Sequence, residues 1–320
     1  MFIFTLQPNN PTMNNINSIL DFLKLVVVTT ASQLMWLLGL LFVFGLILYV
    51  FARFTRTTYV KSIGPKFDII FTGWIGTPVH ELGHAIFCVL FRHRIVEMKL
   101  YNPNPNDGTL GYVNHAYNPN STYQKIGNFF IGVGPIIFGA LVLYAALYYL
   151  VPNVNDVFAN IELQSKSLIK GVKGDFSGIL GSLWGTTLLT LKSLFRPENF
   201  SDFKFYIFLY LSLCVASHME LSPPDISGAW RGLLSLVIFF LVLNLIILGL
   251  EALGLSSHFG KWWSYVKIES YATGINKWVG TFGALFVFAS IISGINFIVS
   301  YLALSIYNMV RGKGLINPAW

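Results

Sequence analysis

In this chain of 320 residues, 54% are apolar and only 11% are charged, against roughly 25% charged in a water-soluble domain, which excludes an ordinary soluble globule. The net charge of +7 does not mark a nucleic-acid binder: Lys and Arg sit between apolar segments and line no single face, as membrane-flanking positive charge does. The two cysteines, Cys88 and Cys214, lie in apolar stretches where Cys acts as a small hydrophobe, so no disulfide framework is implied.

The opening MFIFTLQPNNPTMNNINS lacks a basic stretch and holds two prolines, unlike a cleaved signal peptide, so the first apolar helix is expected to remain in the mature protein. That helix is expected over Leu34 to Phe51. The basic segment after it, RFTRTTYVKSIGPK, reads as a cytoplasmic loop by the positive-inside rule. A second apolar stretch, Ile69 to Phe91, carries the run HELGH. RIVEMKLY and TLGYVNHAY then alternate as strands do, and NPNPNDG between them signals a turn, so a β-hairpin is expected. A third span runs from about Ile126 to Leu150, where Gly132, Gly134 and Pro135 permit close helix approach and a kink.

Residues 151–202 form the longest polar interval. Within it Phe176, Ile179, Leu180, Leu183, Trp184, Leu188, Leu191 and Phe195 recur at helical spacing, with Ser182, Thr186, Thr190 and Ser193 opposite. This predicts an amphipathic helix, lying at the membrane interface or packed on the other spans. A short span follows over Phe203 to Ser217, then HMELSPPDISG breaks the apolar pattern before Leu233 to Leu250 resumes it. The last span falls within Trp278 to Val310, with room for a kink at Gly294. The expected fold is an all-α polytopic membrane protein. It has about six transmembrane helices, a small β-hairpin after the HELGH helix and an interfacial amphipathic helix, in one domain over 1–320 with its core at 66–250.

His80 and His84 stand four residues apart, so on a helix they project from one face and can share one Zn²⁺, and Glu81 beside them can reach a water on that metal. Zinc lowers the pKa of such a water towards 7, which lets Glu81 act as general base and later protonate the leaving amine. Ionisable groups inside an apolar segment are costly, by roughly 2.5 to 3.5 kcal/mol for a charged residue, and default to function. Catalytic zinc commonly takes a third protein ligand. Asp225, His218, Glu220 and His115 are the candidates. Asp225 follows Pro223 and Pro224 at the break between two apolar helices, where it could alternatively cap the second one. His218 and Glu220 could ligate, orient a ligand or bind substrate. His115, on the expected strand, reads as a polar loop residue. Three donors around one zinc should lie about 3 to 4 Å apart.

Taken in order, HELGH, then GTLGYVNHAY, GNFFIGVGPIIFG and SHMELSPPDISGAW resemble the site-2 protease family of intramembrane zinc metalloproteases, over about residues 66–235. The resemblance implies hydrolysis of peptide bonds in or beside the membrane. It also implies zinc on His80, His84 and an Asp from a later helix, for which Asp225 is the positional counterpart, and Glu81 in the catalytic role. It further implies an extended substrate paired with the strand around Gly111, Tyr112, Val113 and Asn114. The chain departs from the family's pattern twice, as a divergent branch would. Glycine follows Asp225 after three residues, as DISG, where the family has LDG. Phe138 stands where the family's GPxxN segment has Asn, a role Asn128 could take instead.

The expected partners are a membrane-protein or peptide substrate and the lipid bilayer, with no nucleic acid and the oligomeric state left open. The expected location is multi-pass in a plasma or bacterial inner membrane. A catalytically silent scaffold or chaperone binding transmembrane segments is the alternative function. A transporter fits less well, because the acids and histidines concentrate in two short motifs. A membrane zincin with a glutamate ligand would bring in Glu220 or Glu251.

Overall fold

The computed structural model describes residues 18–64, 66, 69–104, 109–172 and 179–319. The opening residues 1–17, the centre of the turn at 105–108 and Phe176 lie outside the described residues. The chain is mostly helical, and each of the six apolar stretches contains a helix.

Helix α1 (Ile19–Ser62) starts at Ser18, whose hydroxyl accepts the Asp21 amide. It runs on through the basic segment that the sequence suggests is a loop, ending only at Ser62. No Gly or Pro interrupts that segment before Gly64, and Thr57 and Thr58 bond back to the carbonyls of Arg53 and Phe54, so nothing stops the helix. A π-helical turn (Ile69–Gly73) leads into α2 (Trp74–Leu90), which carries HELGH.

Strands β1 (Arg94–Lys99) and β2 (Tyr112–Ala116) pair antiparallel as the alternation predicts, with a bulge between Ile95 and Glu97. Helices α3 (Thr122–Leu150), α4 (Val154–Val172), α5 (Ile179–Leu194), α6 (Phe203–Ser217) and α7 (Pro223–Ala252) follow. After a 3₁₀ run (Leu255–Trp262) and the one-turn helix α8 (Trp263–Val266) comes α9 (Ala272–Val310), continuous through Gly294.

Among the described residues four helices, α1, α3, α7 and α9, are long and apolar enough to cross a membrane, against the six expected. The difference lies in α2 and α6, of 17 and 15 residues, shorter than the ~20 that a bilayer requires.

Helix α3 is the hub. Phe129, Val133, Ile136 and Leu143 on α3 form a core with Leu48 of α1, Val215 of α6, Leu236 of α7 and Leu285 of α9. Glycine brings backbones into direct contact on two sides of it. A Cβ on Gly83 of α2 would meet Pro135 Cα at 2.7 Å, and one on Gly232 of α7 would meet the Phe129 amide nitrogen at 2.0 Å. Residues on α2 and α7 are thereby held against one scaffold. Gly232→Val is expected to lower stability by about 1 to 3 kcal/mol through overpacking, read as a fall in the thermal unfolding midpoint in detergent.

Buried polar side chains tie the long helices together. Asn244 of α7 donates to Gln33 and Thr30 of α1, and Asn296 of α9 donates to Ser217 of α6.

The amphipathic helix exists as α5, but it is turned the other way from the usual core-inward arrangement. Its polar residues Thr190 and Ser193 are buried against α4, where Asn160 donates to the Ser193 hydroxyl and Gln164 to Thr187. Trp184, Leu188 and Leu189 face outward. In apolar surroundings an outward apolar face costs nothing, and polar groups gain by pairing between helices.

Candidate metal centre

The start of α2 is pinned before its histidines appear. The Tyr101 hydroxyl donates to the Ile69 carbonyl (3.0 Å), and the Tyr210 hydroxyl of α6 donates to the Phe71 carbonyl (2.6 Å). The Trp74 indole donates in turn to Tyr210 (2.8 Å). One turn further on, His80 and His84 project from the same face as the helical period requires, their Nε2 atoms 3.2 Å apart.

Each imidazole is oriented through its other nitrogen. His80 Nδ1–H donates to the His218 carbonyl at 2.7 Å, and His84 Nδ1–H donates to the Ile131 carbonyl at 2.7 Å. In neutral rings that donate from Nδ1, both Nε2 lone pairs are bare and face each other, which is unfavourable unless something positive sits between them.

Asp225 completes the group. Its Oδ1 lies 3.2 Å from His84 Nε2 and its Oδ2 lies 3.5 Å from His80 Nε2. Ligands at 2.0 to 2.1 Å from one tetrahedral ion stand about 3.3 Å apart, so the three edges have the right size for a single metal. His80, His84 and Asp225 could therefore hold a metal ion; among the described residues no other group of three such donors converges.

Asp225 is also part of a cap, though not as the N-cap residue. Ser222 is the N-cap of α7, and Asp225 sits at the third helical position, where its Oδ2 accepts from the Ser222 amide (2.8 Å) and hydroxyl (2.6 Å). The capping box fixes the carboxylate, and the fixed carboxylate faces the histidines.

The other sequence candidates take different places. His218 presents its carbonyl to His80, not its ring to the group, and its own Nδ1 lies 3.1 Å from the Cys214 carbonyl. Glu220 is drawn off by an ion pair with Arg56 of α1 at 2.7 Å. Glu251 sits at the far end of α7, bonded to Lys267 and Trp263. None of these three belongs to the converging donor group.

Glu81 is buried, lines the cavity and has no hydrogen bond or ion pair with another described residue. Gly111 gives it room: a Cβ there would meet Glu81 Cγ at 2.9 Å.

The cavity of about 1000 Å³ is walled by α2, α3, the start of α7, the end of α1 and β2. Gly111, Tyr112, Val113, Asn114 and Asn128 all line it, as does His115. Asn128 is buried with no hydrogen bond to another described residue, so its amide is available to a ligand.

Sequence reading missed the Ile131 carbonyl, His93 and the depth of His115. A backbone carbonyl leaves no residue-type signal, and isolated histidines at the edge of or on a short strand look like surface residues. No family model matches the chain, and no curated protein or solved structure matches it either, so the geometry of the site carries the functional reading.

Proposed function

We propose that the protein is a multi-pass intramembrane zinc metalloprotease, similar to the site-2 proteases, that hydrolyses peptide bonds of membrane-associated substrates. The observation that carries this reading is the convergence of two histidine Nε2 atoms and a carboxylate, with the unpartnered Glu81 next to them on α2. Two imidazoles and one carboxylate in tetrahedral spacing suit Zn²⁺. When bound, zinc supplies Lewis-acid activation of water and of the scissile carbonyl near neutral pH.

The chain's own residues supply the rest. Glu81 accepts the proton of the attacking water and returns it to the nitrogen of the leaving amine. The His218 and Ile131 carbonyls hold His80 and His84 in the tautomer whose Nε2 binds metal. The capping box keeps the Asp225 carboxylate aimed at both. The cavity-facing side of β2 offers backbone to an extended substrate by strand addition. The Asn128 amide can hold a substrate carbonyl where the family's Asn is replaced by Phe138.

Metal removal tests the reading. Protein reconstituted in lipid with a single-span fluorogenic substrate is expected to cleave it, to stop after o-phenanthroline treatment and to recover on addition of one equivalent of zinc. Cleavage that survives verified loss of zinc would sink the proposal.

A further inference from the structure

A second imidazole pair lies outside the hydrolytic chemistry: His115 in the cavity wall and His93 buried behind it. His93 is buried between α2 and β1, its ring stacked on Tyr117 with centroids 5.1 Å apart. Its Nε2–H donates to the Gln124 carbonyl at the start of α3 (2.8 Å). A neutral ring that donates from Nε2 has an acceptor at Nδ1. That Nδ1 lies 3.0 Å from His115 Nδ1, so His115 must donate from Nδ1. The proton chain therefore leaves His115 Nε2 as a bare lone pair.

The surroundings keep this arrangement rigid. The Gln124 side chain donates to the Arg92 carbonyl (2.9 Å) and accepts the Asn118 amide (2.6 Å), clamping both ends of the hairpin to α3. Burial first, then the neighbouring His93 and His84, push the His115 imidazole down to about 4, so it stays neutral at physiological pH. Its Nε2 has no hydrogen-bond partner among the described residues, yet it is not sealed from solvent, and the residue lines the cavity. Alternation along the extended chain puts His115 on the same face as Gly111, the face that meets Glu81.

We propose that His115 is a substrate-positioning residue, its bare Nε2 accepting a hydrogen bond from a backbone N–H of an extended peptide along β2, with His93 and the Gln124 carbonyl fixing the tautomer. The peptide nature of the ligand rests on the protease reading. The hydrogen bond does not.

The test uses the full-length Glu81→Gln protein in lipid nanodiscs with nitrogen-15 histidine. The probe is an N-acetylated, C-amidated Val/Ala pentapeptide, with copies N-methylated at one backbone nitrogen at a time. In the resting protein one histidine, identified by its loss in His115→Phe, is expected to show a protonated Nδ1 and a bare Nε2. Peptide should shift that Nε2. His115→Phe should weaken peptide binding about 3- to 10-fold, the net effect of one hydrogen bond, and His115→Gln, which keeps an acceptor, should restore part of it. N-methylation at one position should cost the same factor in the parent protein and nothing further in His115→Phe, a coupling that a merely structural role would not produce. His93→Phe, which keeps the stack on Tyr117, should move the His115 proton to Nε2.

A resting His115 protonated at Nε2, an Nε2 unmoved by peptide, or additive effects at every methylated position would overturn the proposal. A wild-type protein that binds peptide through His115 but hydrolyses nothing would instead remove the protease reading and leave this one standing.

Discussion

Glu81→Gln is expected to lower kcat for peptide hydrolysis by about 10²- to 10⁴-fold, the range for loss of a general base, while zinc content stays at one per chain. The substitution is close to isosteric, so the contact between Glu81 Cγ and the Gly111 backbone persists and the cavity keeps its shape. His80, His84 and Asp225 are untouched, and the two carbonyls that orient the imidazoles belong to other elements. What disappears is, among the described residues, the only cavity-lining carboxylate beside the His80–His84–Asp225 group that is neither in that group nor ion-paired, since Asp225 faces the histidines and Glu220 is held by Arg56. Parallel turnover and zinc measurements on the same preparation check it. A Glu81→Gln protein that inserts, binds zinc and cleaves as fast as the parent would show that Glu81 is not the general base.

Removing the third donor has the second large effect, and it must be separated from loss of the helix cap. Asp225→Ala removes the proposed ligand and half of a capping box together, so it should both lose stoichiometric zinc and destabilise the N-terminus of α7. Asp225→Asn keeps an oxygen that can accept the Ser222 amide and removes the charge. It is expected to weaken zinc by more than the roughly 10- to 100-fold typical of residues that only orient ligands, with little change in stability. Ser222→Ala should do the reverse, costing about 1 kcal/mol in helix capping while zinc stays bound. Zinc titration and thermal unfolding on the three variants give the answer. Full zinc occupancy in Asp225→Asn and Asp225→Ala alike would show that the ligand is elsewhere.

Local sequence was a good guide wherever one segment carries its own physics. Six apolar runs mark six helices, although α2 and α6 are shorter than full spans. Alternation in RIVEMKLY and TLGYVNHAY marks the hairpin. The i, i+4 spacing of His80 and His84 needs only a helix to put both rings on one face, and α2 provides it. The guide failed where the environment decides. The polar side of α5 packs inward on α4, because hydrogen-bonding partners there are worth more than contact with an apolar surface. The basic end of α1 is helical because nothing in it breaks a helix already under way.

For the site itself, sequence alone determined the His80–Glu81–His84 cluster on one turn and narrowed the third donor to four residues. Tertiary structure brings one of them, Asp225, up to the two histidines. The glycine contacts that dock α2 and α7 on α3 bring Asp225 within 3.2 Å of His84, while an ion pair removes Glu220 and the His218 carbonyl takes a supporting place. It also lifted His115 from a strand residue to part of the cavity wall. The physical reason is range. Helical period and hydropathy act over a few residues and can be read along the chain, whereas hydrogen-bond pairing, desolvation and close packing join residues far apart in sequence and exist only once the helices have met.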